Sequence, residues 1–447
     1  MFQDFSKPFD PALSRRDLIR RAALLGGGAA ATALPFGNLA FAQSGFAASW
    51  PQTAAWVNEY VDDGHVANMV ATLGWRQDAP QFHARGTHTF EGRDRVTPDS
   101  IYRIYSMTKP VTGIATMMLV EDGLITLETP LADILPAFAN MQVQKQYDGA
   151  ITADNLEPAE RAITIRHLLT HTAGLGYNIV QSGPIQQAYV SEGLIPGQVS
   201  KLPAARAFFS GEVVPTMAEF ADRLAELPLV SQPGRRWLYS VSCDLLGYVI
   251  EVVSGQPFTQ FLQQRIFEPC GMTDTGWRVP RSDLDRLTAN YFRMGGIPLP
   301  LDPPTMSIYA DEPAWTFGGA GLVSTPRDYD RFLQMLAGHG LIEGTRVMEE
   351  ATVRTATSNL FPDTLVSGGG FRTGTEEYGF GAAGMVGSGP IEGVFGWAGA
   401  AGTVGLVQMN LGLRMNLMTQ YMPAESMPVQ TDFPRIVLRD AMAAATT

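Results

Sequence analysis

Lysine is nearly missing from this chain of 447 residues: Lys7, Lys109, Lys145 and Lys201 are the whole set, and arginine supplies the rest of the positive charge. Basic side chains are also outnumbered, 32 against 44 acidic ones, for a formal net charge of -12. That balance argues against nucleic acid or an anionic membrane surface as a partner, since either would need a basic face to displace condensed counterions. Small neutral or cationic substrates remain open. Cysteine is rarer still, and Cys243 and Cys270 have no metal-like spacing and no set of histidines beside them. They would pair only in an oxidising compartment; the alternative is that Cys243, within an apolar helical run, is a buried free thiol. No G-x-S-x-G pentapeptide occurs, which counts against an α/β-hydrolase. What is present, 45% hydrophobic and 17% charged residues, is enough to bury a sizeable core.

At the N-terminus, Ser14-Arg15-Arg16-Asp17-Leu18-Ile19-Arg20 precedes Ala22-Ala23-Leu24-Leu25 and a run of small residues. This is a twin-arginine export pattern, and Ala40-Phe41-Ala42 offers an A-x-A cleavage site. The apolar stretch is short and rich in glycine and alanine for a membrane span. Residues 1–42 are therefore expected to be a removable leader and the mature protein to be periplasmic in a bacterium, with an uncleaved anchor as the alternative.

Beyond the leader, 51–61 reads as a helix, and 65–75 with 82–90 as two paired strands of alternating polarity. Val111, Ile114, Met118 and Leu119 recur at helical spacing and predict a long helix over 106–124. Residues 163 to about 280 are mostly helical in pattern, with helices at 217–227 and 241–253 and a loop-rich rim over 174–214. A breaker-rich link at 295–304, a helix at 326–338, glycine-punctuated strands over 393–422 and a terminal helix at 433–445 follow. The expected organisation is one α/β catalytic domain over 49–440. Its α/β lobe comes from both chain ends, about 49–100 and 290–447, with a helical lobe of about 101–289 inserted between.

The first chemical signal is Ser106-Met107-Thr108-Lys109, where a strand-like segment gives way to the long helix. Residues three apart share a helix face, so the amine can reach the hydroxyl. Pro110 is tolerated only in a first turn, so the helix should begin near Ser106, where orphan amides and the helix dipole favour developing negative charge. The choice of lysine in a lysine-poor chain is informative. A guanidinium keeps its proton, whereas a buried amine can have its pKa lowered and act as base or relay. The alternative is a capping serine beside a solvated lysine.

A second signal, Trp237-Leu238-Tyr239-Ser240-Val241-Ser242-Cys243-Asp244-Leu245-Leu246-Gly247, places a phenol between a Pro233-Gly234 turn and another helix. Together, Ser106, Lys109 and Tyr239 resemble the serine β-lactamase and penicillin-binding family, most closely its class C branch and the family VIII carboxylesterases. Ile165-Arg166-His167-Leu168-Leu169-Thr170-His171-Thr172-Ala173-Gly174-Leu175 and Gly318-Gly319-Ala320-Gly321-Leu322-Val323-Ser324-Thr325 look like two further segments of that branch. The resemblance spans nearly the whole mature chain and implies an antiparallel sheet flanked by helices.

It also implies roles. Ser106 would be acylated, with Tyr239 as general base held near phenolate character by Lys109. Trp397-Ala398-Gly399-Ala400 is similar to the W-G-G variant of the third family motif. Gly399 would let substrate approach the strand, and the amides of Ala400 and Ser106 would form an oxyanion hole. Trp397 in place of a lysine, and Val241 in place of an asparagine, remove groups that would bind a β-lactam, so neutral esters of small to medium acyl groups are the expected substrates. His171 admits a Ser-His reading, but the resemblance makes it structural. His167 and His171 are explained by the same segment and the remaining histidines form no metal-spaced pair, so neither metal nor cofactor is expected. Tyr177, Trp315 and Phe317 are either pocket wall or ordinary packing. Acyl transfer, D-alanyl peptidase or weak β-lactamase activity would use the same residues, and a non-catalytic sensor of cell-wall fragments or β-lactams is the alternative of another class.

Overall fold

The computed structural model describes residues 45–203, 212–373 and 376–444; the leader at 1–42 lies outside them. Pro51–Asp62 (α1) starts on a proline, placed where its missing N–H leaves no intrahelical bond unmade. Asn68–Trp75 (β1) and Gln81–Gly86 (β2) pair antiparallel, with Val70 opposite Ala84 and Thr72 opposite Phe82. The alternation expected of β1 gives way to seven consecutive buried residues. Helices pack on it from both ends of the chain, so neither face meets water.

Tyr102–Arg103 (β3) leads through a 3-10 turn at Tyr105–Met107 into Thr108–Glu121 (α2), the long helix expected, starting two residues later than read from the sequence. Met217–Glu226 (α3) and Ser242–Ser254 (α4) fall where helices were expected, and α4 packs on both α2 and α3. The stretch read as a breaker-rich link is instead a hairpin, Asn290–Met294 (β4) with Ile297–Asp302 (β5). Gly295 and Gly296 both have positive φ, 59° and 87°, the requirement of a tight two-residue turn. Pro298 and Pro300 are tolerated because β5 is the edge of its three-stranded sheet.

Val323–Ser324 (β6) pairs with β3, and Pro326–Ala337 (α5) is capped by Thr325, whose hydroxyl accepts the Asp328 N–H. α5 lays Phe332, Leu333 and Leu336, all buried, into the core, each worth about 1.5–3 kcal/mol in transfer terms. The rest of the main sheet comes from Phe371–Thr373 (β7), Glu376–Phe380 (β8), Met385–Val386 (β9), Val394–Ala398 (β10), Val404–Gln408 (β11) and Leu413–Met418 (β12). Its order is β7-β8-β9-β10-β11-β12-β1-β2, antiparallel throughout. Tyr421–Met422 (β13) joins β4 in parallel, and Val429–Ala444 (α6) packs on α1 and β12. The sheet is thus assembled from both chain ends, with β10 placed against α2 and the turn before it.

Candidate active site

Ser106 sits half-buried in the turn joining β3 to α2. The strand side of that turn is fixed by Arg103, a fully buried guanidinium that donates from Nε to Asp302 at 2.7 Å and from Nη1 to the Thr288 carbonyl at 2.5 Å. Tyr105 has φ 41°, a conformation costly for a bulky residue. It is held there by the Asn290 amide, which donates to its hydroxyl at 3.1 Å, and by edge-on packing against Tyr309. The reversal turns the Ser106 hydroxyl out of the strand and toward α4.

Tyr239 comes from the loop before α4, and its hydroxyl donates to Ser106 Oγ at 2.8 Å. Lys109, fully buried one turn along, donates to Ser106 Oγ at 3.3 Å and to the Gly319 carbonyl at 2.6 Å. Its Nζ lies 4.7 Å from the centre of the Tyr239 ring and 5.9 Å from that of Tyr177. Two proton-carrying groups therefore converge on one hydroxyl.

Of the two forms open to a buried lysine, lowered amine or ammonium beside a phenolate, the surroundings of Lys109 favour the second. Burial is the largest influence and pulls its pKa down, but Tyr239, Cys243 and Asp244 together outweigh it, so the pKa stands above the ordinary value. An ammonium has no lone pair to accept a proton, which leaves Tyr239 as the group able to take one from Ser106.

Trp397 is half-buried on β10 with its ring 5.9 Å from that of Tyr239. The strand ends at Ala398, so Gly399 and Ala400 lie in the turn after it rather than on the strand. Gly399 presses on the segment leading into Ser106: a Cβ there would stand 2.4 Å from the Ile104 carbonyl oxygen and 2.2 Å from Thr403 Oγ1. His171 lies behind Tyr239 rather than beside Ser106. Its ring packs 5.1 Å from the phenol, and Nδ1 bonds the Ser240 hydroxyl at 3.0 Å. Burial, helped by the charge of Lys109, keeps it well below the ordinary histidine pKa and so neutral.

Tyr177 joins the site, 5.7 Å from the Tyr239 ring, whereas Trp315 and Phe317 meet with tilted rings 4.1 Å apart and Trp315 packs on Phe220. Cys243 and Cys270 are free buried thiols, both pushed up to about 12 by burial. Among the described residues, no cluster of three His, Cys, Asp or Glu is placed to hold a metal ion, and no helix is long and apolar enough to cross a membrane. Asp244 and the Gly319 backbone were missed by the sequence reading. The available signal was an acid among the otherwise apolar or small residues that open α4.

A family model described as Beta-lactamase matches residues 53–438. The chain belongs to the beta-lactamase family. Within that family it is 35% identical over 298 residues to Protein Rv1367c of Mycobacterium tuberculosis, a match covering 67% of this chain and 69% of that one. It is 28% identical over 367 residues to Esterase EstB of Burkholderia gladioli, covering 75% and 81%. Among solved structures, EstCE1, described as a hydrolase with promiscuous acyltransferase activity, superimposes with a TM-score of 0.68 at 23% identity, covering 88% of this chain and 98% of that one. The beta-lactamase fold, an antiparallel sheet flanked by helices, is thus the fold of this chain.

Proposed function

We propose that the protein is a serine hydrolase that cleaves carboxylic esters through an acyl-Ser106 intermediate. The observation that carries this reading is the convergence of Tyr239 at 2.8 Å and Lys109 at 3.3 Å on Ser106 Oγ. Tyr239, its proton released to solvent beside the Lys109 ammonium before the cycle begins, takes the Ser106 proton as Oγ attacks the ester carbonyl. The same phenol then returns it to the departing alkoxide. Water, activated by Tyr239 in the reverse sense, attacks the acyl carbonyl and regenerates the serine. The amides of Ser106 and Ala400 are assigned to the oxyanion, each donor of this kind being worth about 3 kcal/mol in comparable sites.

The name of the Burkholderia relative supports an ester substrate. Trp397 on the substrate side, together with its aromatic neighbours Phe371 and Phe380 at 5.5 and 5.4 Å, supports a neutral acyl group of small to medium size. Transfer of the acyl group to an alcohol would differ only in what attacks the intermediate. The pattern at Arg15 and Arg16 supports export to the periplasm.

Purified full-length and mature chain, assayed on p-nitrophenyl acetate and butyrate beside nitrocefin, should turn over the esters and leave nitrocefin nearly untouched. Fast nitrocefin turnover would show that Trp397 does not exclude β-lactams. A stable acyl adduct without turnover would favour a sensor, and an alcohol ester appearing in place of free acid would favour transfer. Gly399→Ala is a second check. Its Cβ would displace Ile104, two residues before the nucleophile, so kcat should fall about tenfold, as misplacement of reacting groups by fractions of an ångström does. Unchanged kcat would detach Gly399 from the site.

A further inference from the structure

One buried carboxyl stands behind Ser106 with no task in the mechanism above. Asp244 lies in the first turn of α4 and is only 1% exposed. Acids at helix N-termini are favoured by the dipole but ordinarily face water; this one faces inward. Its Oδ1 accepts the Gly319 N–H at 2.8 Å, and the carbonyl of the same glycine accepts from Lys109 Nζ at 2.6 Å. Carboxylate and ammonium thus hold the two ends of one residue. Its other oxygen, Oδ2, is buried without a hydrogen-bond partner, and a Cβ on residue 319 would stand 2.5 Å from it. Only glycine permits that approach.

The titratable groups facing Asp244 are Lys109 from α2, Tyr177 from the rim and Cys243 on its own helix. Burial pushes Cys243 up to about 12 and Tyr177 well above the ordinary phenol value, so neither is charged at neutral pH. Tyr239 acts on Lys109 as an anion only after losing its proton. With the phenol intact, Asp244 is the remaining anion among the groups acting on Lys109.

We propose that Asp244 is a positioning residue for acylation: as a carboxylate it holds Lys109 as an ammonium and, through Gly319, aims its N–H groups at Ser106 and Tyr239. This rests on the Ser106 mechanism proposed above. Burial, opposed by Lys109 and the Gly319 N–H, pushes the Asp244 carboxyl up to about 6. Acidification through that value protonates the carboxyl and removes its hold, so acylation should slow as pH falls through about 6.

The test is stopped-flow acylation and steady-state turnover of p-nitrophenyl butyrate by the full chain, unmodified and as Asp244→Asn, from about pH 5 to 9. The asparagine keeps an oxygen for the Gly319 N–H and removes the charge, with its amide nitrogen at the place of the unpartnered Oδ2. Expected are an unchanged melting temperature, kcat lower by about 100-fold with KM within about twofold, and loss of the acid limb that the unmodified chain shows near pH 6. An indifferent kcat, or a lowered kcat with the limb retained at the same midpoint, overturns the proposal. If Asp244→Asn fails to fold, the unmodified chain decides: a limb near pH 6 in acylation supports the assignment and a flat profile overturns it. Absence of Ser106-dependent turnover in the unmodified chain overturns both readings, whereas normal turnover with an indifferent Asp244→Asn overturns only this one.

Discussion

Ser106→Ala should lower ester turnover by about 10⁴-fold or more while leaving the melting temperature within about 2 °C of the unmodified chain. The structural cost is small because the lost hydroxyl is half-buried and Lys109 keeps the Gly319 carbonyl as an acceptor. The kinetic cost is large because the nearby candidates for a substitute nucleophile are unsuited to the role. The Cys243 thiol is fully buried beside His171, 3.8 Å from Nε2, and burial pushes its pKa up to about 12, so almost none is thiolate at neutral pH. The His171 ring is neutral, buried and engaged with Ser240. Intact mass after acid quench of a p-nitrophenyl butyrate reaction should reveal a butyryl adduct on the unmodified chain and none on the variant. An adduct of equal size on Ser106→Ala, or residual turnover above about 1%, would move the nucleophile elsewhere.

The residues that approach one another at the site were legible because each carries a local signature. Ser106 and Lys109 are one helical turn apart, and Tyr239, 133 residues from Ser106, stands between a Pro-Gly turn and an apolar helix. The main helices could also be read, since α2, α4 and α5 have apolar periodicity and α5 a clear cap. The hairpin of β4 and β5 was hidden by its prolines and glycines, which mark breaks in most contexts and became strand and turn here through edge placement. The double burial of β1 depends on helices drawn from opposite ends of the chain, which periodicity within one strand cannot report. The choice between amine and ammonium at Lys109 was not legible from burial for a related reason. Burial alone argues for a neutral amine, and what opposes it, Tyr239 first and then Cys243 and Asp244, comes within reach only once α4 packs on α2.

Tyr239→Phe should lower kcat by about 10³-fold with little change in KM, the scale expected when a positioned acid–base group is lost. Phenylalanine preserves the ring contacts with His171, Tyr177 and Trp397, at 5.1, 5.7 and 5.9 Å, so the pocket wall and the fold should survive. What disappears is the oxygen 2.8 Å from Ser106 Oγ. Lys109 stands farther from Ser106 Oγ, at 3.3 Å, and its amine is engaged by the Gly319 carbonyl at 2.6 Å. The rate that the variant retains separates two mechanisms that share the same three residues. With Tyr239 as base, the variant is slow at every pH where the protein is folded. With Lys109 as base, Tyr239→Phe would keep most of its acylation rate and the loss would fall on Lys109→Met alone, so retention of more than about a tenth of the acylation rate would transfer the base role to the amine.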